Sequence, residues 1–283
     1  MGETARWRLD LAYRGTAFHG FARQPGQRTV AGDLADALAR VARLPESPHL
    51  VCAGRTDAGV HATAQVVHVD LPSPMPLGRD GELGPADLMR SLNRQLGDDV
   101  AVLAARVVGP GFDARHSATW RRYRYLLHDS GVADPLLTSL AWQVEGPLDV
   151  RAMSQAIGAF IGSHDFRAFC RRAQGTSAAE PIVRRVTDAW VEALEPDGSV
   201  DLVGGRLVRV EIQASSFCHQ MVRSVVAQLV EVGLGRSNAA EIMGLLEAGS
   251  RQGAARPAPP EGLCLIGVGY DEGAGLPEDP VRP

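Results

Sequence analysis

Lysine is missing altogether, so all 29 basic residues of the 283-residue chain are arginine. Without a lysine amine there is no Schiff-base chemistry, no pyridoxal anchor and no P-loop lysine, while arginine still offers forked donors suited to phosphates and base edges. Cysteine is scarce: Cys52, Cys170, Cys218 and Cys264 stand far apart with no Cys-x-x-Cys pair. That argues against structural zinc and a disulfide scaffold and marks each as a small apolar core residue. The eight histidines show no His-Glu-x-x-His spacing, and nothing proposes a metal. No apolar run approaches the roughly 18 residues of a membrane helix. The start, Met1 to Trp7, lacks the apolar core of a signal peptide, so a cytoplasmic location with no membrane partner is expected.

What is present is ordinary globular composition, 45% hydrophobic and 22% charged, in a length that suits one large domain or two of usual size. A net charge of −4 does not suit a nonspecific nucleic-acid binder. The arginines nevertheless cluster, as Arg121, Arg122 and Arg124, Arg171 and Arg172, Arg184 and Arg185, and Arg206 and Arg209. Part of the opposing charge lies at the end, in Asp271, Glu272, Glu278 and Asp279, so a local basic surface is compatible with the acidic total.

Hydrophobic periodicity predicts a strand at Ala5 to Tyr13, half-buried through Trp7, Leu9, Leu11 and Tyr13, then a helix at Val30 to Val41. A short strand at Leu50 to Cys52, a strand at Ala64 to Leu71, a helix at Ala86 to Leu96 and a strand at Val100 to Val108 complete the order βαββαβ. After Gly109-Pro110-Gly111 the order repeats. Strands are expected at Arg121 to His128, Val183 to Leu194 and Leu207 to Ala214, the last two joined by a turn at Glu195 to Ser199. Helices are expected from Asp149, with Met153, Ile157, Phe160 and Ile161 as the apolar stripe, at Phe217 to Val232 and at Ala239 to Leu246, before a last strand at Leu263 to Tyr270. The expectation is an α+β protein of two ferredoxin-like βαββαβ halves, residues 1–110 and 111–271, with antiparallel sheets flanked by helices, a basic cleft between them and an acidic, disordered tail at 272–283.

One stretch resists a purely structural explanation. Ala53-Gly54-Arg55-Thr56-Asp57-Ala58-Gly59-Val60-His61-Ala62 connects two apolar strands, and its glycines let the backbone turn sharply while presenting an arginine and an aspartate together. Taken alone, Asp-Ala-Gly also makes a good turn, with the aspartate capping its own backbone. In the second half, Tyr123 lies on a basic strand, and spacing places His219 and Arg223 on one face of the expected Phe217 helix.

Gly54-Arg55-Thr56-Asp57-Ala58-Gly59-Val60-His61 with Gln65-Val66-Val67-His68 resembles the signature of the TruA family, tRNA pseudouridine synthase A. The resemblance continues through Phe112 to Thr119, Arg122-Tyr123-Arg124-Tyr125, Asp165-Phe166, Phe217 to Arg223 and Glu261-Gly262-Leu263. It implies isomerisation of uridine to pseudouridine at positions 38, 39 and 40 of the tRNA anticodon stem-loop, by a homodimer without cofactor or metal. It further implies that Asp57 is the catalytic aspartate, that Tyr123 packs on the target base and that Arg223 pairs with the acid. By the same resemblance, Arg55 is expected to fill the space of the everted nucleotide and Leu263 to belong to the pocket floor. Arg23, His61, Arg122, Arg124 and His219 are further expected RNA contacts. Phe21-Ala22, Ala31 and Gly97 depart from the family pattern in RNA-facing or boundary segments and leave the acid untouched.

The carboxylate has three routes open: attack at C1′, attack at C6, or removal of a proton at C2′. Two other classes compete. A noncatalytic RNA-binding protein fits the arginine clusters but lacks an RNP1-type aromatic run. A Cys-His hydrolase would use Cys218 or Cys52, although the adjacent Cys218 and His219 point in different directions on a helix.

Overall fold

A computed structural model describes residues 3–75, 83–172, 180–194 and 204–271. The expected turn at 195–199 and the expected acidic tail at 272–283 lie outside the described residues. Cα packing divides the chain into two compact units, Met1–Thr119 with Leu265–Pro283, and Trp120–Cys264. Among the described residues no helix is long and apolar enough to cross a membrane.

In the first unit the order is β1 (Thr4–Tyr13), α1 (Val30–Val41), β2 (Val51–Cys52), β3 (His61–Pro72), α2 (Pro85–Leu96) and β4 (Val100–Val108). β1 lies between β4 and β3, antiparallel to both, and β2 pairs with Val67 and His68 of β3. α1 begins where the Thr29 side chain accepts the Gly32 N–H, and it buries Leu34 and Leu38; α2 buries Leu88, Leu92 and Leu96 at the helical spacing.

β1 departs from a simple half-buried strand. Trp7, Leu9, Leu11 and Tyr13 are buried as expected, but so is Arg8. The Arg8 guanidinium bonds Asp10 at 2.8 Å and lies 4.9 Å from the centroid of Tyr270, so it is covered where alternation predicts solvent. Close by, Ala53, Val66, Val108, Phe112 and Ala114 form an apolar cluster against which Val268 and Tyr270 pack. This brings Val268 and Tyr270 into the first unit.

The second unit carries β5 (Ala118–Asp129), β6 (Trp142–Val144), α3 (Val150–Ala156), β7 (Gly162–Asp165), β8 (Val183–Leu194), β9 (Arg206–Ala214), α4 (Met221–Gly233), α5 (Ala239–Ala248) and the start of β10 (Leu263–Tyr270). β9 lies between β5 and β8, β7 extends beyond β8, and these neighbours are antiparallel, whereas β6 is parallel to β5. β6 and β7 are too short to show a period in the sequence. Asp149 caps α3 by accepting the Ala152 N–H, as its position predicts.

Two expectations need correction. Ile161 is not part of the apolar stripe: the helix tightens to a 3-10 turn over Ile157–Phe160, the phase slips, and Ile161 stands 44% exposed. α4 begins at Met221 rather than Phe217, because Gln220 takes a left-handed conformation with φ 63°. His219 therefore lies in the preceding turn and shares no helix face with Arg223.

Candidate active site

The 53–60 loop is pinned from outside at Ala53, Gly54, Thr56 and Gly59. The Ala53 N–H donates to Val66 O (2.8 Å) and the Phe21 N–H to Thr56 O (3.0 Å), while the Val60 N–H closes a turn on Asp57 O at 3.2 Å. Gly59 takes φ 81° within that turn, a conformation that explains the glycine. The Gln65 amide donates to Gly54 O at 2.8 Å, and the Thr56 hydroxyl shares a hydrogen bond of 2.8 Å with that of Tyr13. These anchors turn Thr56 inward, leave Arg55 exposed and hold Asp57 half-buried. The turn that local sequence suggested is thus real, and it is what displays the carboxylate.

Around the loop, His61 is buried and its Nδ1 accepts the Gly15 N–H at 3.1 Å. Gly15 fits against the loop so closely that a methyl group there would overlap the Val60 carbonyl. Arg23 is exposed, with an ion pair to Asp36 at 3.3 Å. Burial pushes the Cys52 thiol up to about 11, although the Arg55 charge acts against it. A thiol so held is a poor nucleophile at neutral pH.

In the second unit Tyr123 projects from β5 and is 8% exposed. Its ring meets Phe217 edge to face, centroids 5.0 Å apart and planes at 85°. Arg122 and Arg124 alternate with it. Arg122 bonds Gln213 at 3.1 Å and Asp188 at 3.4 Å, and Arg124 lies opposite Glu211 in the ladder. Arg223 projects from the first turn of α4 and is half-buried; its Nε donates to Ala258 O at 2.6 Å, while its own carbonyl accepts the Ala258 N–H at 3.0 Å. The Tyr125 hydroxyl donates to neighbouring Pro259 O at 2.7 Å; burial raises its pKa, with the Glu261 charge adding to the effect. Leu263 is buried at the start of β10.

Contrary to the sequence expectation, Cys170 and Cys218 form a disulfide, with Cα atoms 5.8 Å apart and 48 residues between them in sequence. The Arg171 N–H adds a hydrogen bond of 2.9 Å to His219 O. These bonds draw Phe217 to Gln220 out of the helix that apolar spacing predicts. With Cys218 bonded and the Cys52 thiol held protonated, the cysteine-hydrolase reading has no thiolate and is set aside.

Asp57 and Arg55 thus belong to the first unit, and Tyr123, Arg223 and Leu263 to the second. Tyr13, Gln65 and Phe217 went unread as site supports. Tyr13 and Gln65 occupy inward positions of strands, where a polar group is itself the signal. Among the described residues no group of three or more His, Cys, Asp or Glu could hold a metal ion.

The first unit thus presents a half-buried aspartate on a clamped loop, and the second a packed tyrosine and an anchored arginine, in an α+β frame. A family model described as tRNA pseudouridine synthase matches residues 156–271. The chain is 45% identical over 269 residues to tRNA pseudouridine synthase A of Frankia casuarinae, covering 94% of this chain and 89% of the relative. It is 40% identical over 282 residues to the protein of that name from Gloeobacter violaceus, covering 99% and 83%. Against that of Leifsonia xyli subsp. xyli the figures are 41% over 286 residues, covering 97% and 94%. The chain belongs to the tRNA pseudouridine synthase A family.

Proposed function

We propose that this isomerase, which converts uridine in tRNA to pseudouridine, acts at positions 38, 39 and 40 of the anticodon stem-loop with Asp57 as its catalytic carboxylate. The reaction breaks the N1–C1′ bond, turns the uracil and joins C5 to C1′; C5 gives up its proton and N1 gains one. Atoms balance within the substrate, and no cofactor is required. The observation that carries the reading is the Asp57 loop, pinned on both sides of the acid, in a chain related over nearly its full length to named synthases.

Each further residue has one task in this reading. Arg223 keeps Asp57 ionised, since a nearby cation favours a carboxylate. Tyr123 stacks on the uracil and exchanges the C5 proton, Leu263 floors the base pocket, and Arg55 occupies the space left in the stem. Eversion costs a few kcal/mol of stacking and pairing. Arg23, Arg122, Arg124 and His219 offset it through RNA contacts in a basic cleft between two ferredoxin-like halves, and binding falls with salt; His61, buried and holding the Gly15 N–H, is left out of the contacts that the sequence led one to expect. Attack at C1′, attack at C6 and proton removal at C2′ all use the same acid. The working form is a cytoplasmic homodimer.

The test is incubation with unmodified tRNA, followed by mapping pseudouridine through carbodiimide-dependent primer-extension stops. Stops at positions 38 to 40 are expected. Asp57→Asn should cut turnover by at least about 10³-fold, at the scale of a lost acid-base or nucleophilic group, while tRNA affinity stays within several fold. Wild-type turnover by Asp57→Asn would overturn the role of the acid, and stops only outside the anticodon arm would overturn the position.

A further inference from the structure

We infer that Tyr13, Thr56 and Gln65 form a positioning network whose task is to fix the Asp57 carboxylate, an inference that rests on Asp57 being the catalytic acid. The three side chains come from β1, the loop and β3, and they are 5%, 7% and 0% exposed. Gln65 uses both amide protons and its carbonyl oxygen. Nε2 donates to Gly54 O (2.8 Å) and to the Tyr13 hydroxyl (3.2 Å), and Oε1 accepts the Val66 N–H at 3.2 Å. Two acceptors on one side of the amide and a donor on the other leave a single orientation. The Tyr13 hydroxyl accepts the Gln65 hydrogen bond and shares a second, of 2.8 Å, with Thr56 Oγ1.

Where the network ends is what assigns its role. It touches Gly54 and Thr56, the residues on either side of Arg55, and Thr56 is also held at its carbonyl by the Phe21 N–H. With its side chain and its carbonyl both fixed, Thr56 sets the direction in which the chain enters Asp57; the Val60 N–H on Asp57 O sets the direction in which it leaves. A neutral network confers this without placing a competing cation or anion beside the acid. Three buried polar side chains are an expensive way to fill a core, since apolar groups of similar volume would satisfy packing alone. What they add is a unique loop conformation, and a misplacement of about 1 Å at a reacting group can cost on the order of 100-fold in rate.

The experiment compares Thr56→Val, Thr56→Ser, Tyr13→Phe, the Tyr13→Phe/Thr56→Val double variant and Asp57→Asn in single-turnover and steady-state pseudouridine assays, with tRNA binding measured alongside. Thr56→Val and Tyr13→Phe should each lower kcat by about 10- to 100-fold, with KM and tRNA affinity within about threefold. Thr56→Ser keeps the hydroxyl and should restore kcat to within about threefold of wild type. The double variant should lose no more than the worse single, because both break one chain of bonds. A loss that merely tracks the unfolded fraction, that falls on KM, or that serine fails to rescue would overturn the inference. If Thr56→Val does not fold, Tyr13→Phe decides by the same split. Wild-type kcat in Tyr13→Phe and Thr56→Val beside an inactive Asp57→Asn would sink the network alone; an active Asp57→Asn would sink the reading beneath it.

Discussion

The first unit holds its acid-bearing loop with neutral hydrogen bonds from phenol, amide, hydroxyl and peptide groups. Around Tyr123 and Arg223 the second unit relies on other means: an edge-to-face ring, a cross-link from Cys170 to Cys218 and two bonds between Arg223 and Ala258. The contrast follows from what each must present. A loop has no ladder of its own, so every peptide that must stay put needs a donor or acceptor from elsewhere. A residue on a strand or helix inherits a placed backbone and needs only packing to choose its rotamer. Under the proposed roles, damage to the first unit's frame should fall mainly on kcat, through placement of the acid, and damage to the second should show in KM as well, through the groups proposed to hold the base.

The largest effect that sharpens this contrast comes from matched glycines. Gly15→Ala drives a methyl group into the Val60 carbonyl, which is backbone and cannot step aside. Gly262→Ala meets the Tyr125 ring at 2.5 Å and Leu126 O at 2.7 Å, partly side chain. Overpacking on this scale costs about 3 kcal/mol, and calorimetry should show the larger loss for Gly15→Ala. Assayed at a temperature where both remain folded, Gly15→Ala should lose kcat and Gly262→Ala should raise KM. Equal loss of kcat in the two would erase the distinction.

Opening the cross-link is the next test. Loop closure over 48 residues ordinarily stabilises by about 2–4 kcal/mol. The low end, about 2 kcal/mol, is expected, because the Arg171 to His219 bond keeps the two segments together after reduction. Cys170→Ser, or excess dithiothreitol on the wild type, should lower Tm accordingly. With Phe217 freed to drift from Tyr123, KM for tRNA should rise severalfold. Unchanged Tm and KM, with four titratable thiols in the unreduced protein, would remove the cross-link from the account.

How much of this was readable follows from the range of the forces. Periodicity located α1, α2, β8 and β10 closely because amphipathic spacing is a local property, and the Asp149 cap was visible for the same reason. The Asp57 loop was legible as a display turn, since its glycine and its polar residues are adjacent in sequence. Its supports were not: Tyr13 and Thr56 are 43 positions apart, and nothing in either neighbourhood names the other. Cys170 and Cys218 lie as far apart, and their bond overrides a run of residues whose spacing suits a helix. Arg8 looked like a solvated strand residue because the Tyr270 ring that covers it comes from the far end of the chain.

The smallest effect bears on acid stability, and it separates the units by pH rather than by mutation. Burial, with the Arg6 charge adding to it, holds the His68 imidazole below its ordinary pKa, although Asp113 and Asp70 act the other way; its Nδ1 accepts the Ala114 N–H at 2.9 Å. A base whose folded pKa lies below its unfolded value of about 6.5 takes up protons more readily when unfolded. Its contribution is fully present above that unfolded value and is lost as the pH falls through the folded one. The carboxylates behave likewise at lower pH. The Arg6 bond holds Asp70 down and the Arg14 and Arg28 bonds hold Asp99 down; burial raises Asp165 in the second unit, but bonds from Ile182 and Arg167 outweigh it. Those contributions are present above about pH 4 and fade below it. Between about pH 6.5 and 5, therefore, the His68 loss should act on the first unit while the carboxylates still hold. Hydrogen exchange across that range should show amides of β3 and of Phe112 to Ala114 losing protection before those of β8 and β9. Loss from β8 and β9 first would mean that the acid-sensitive frame lies in the second unit.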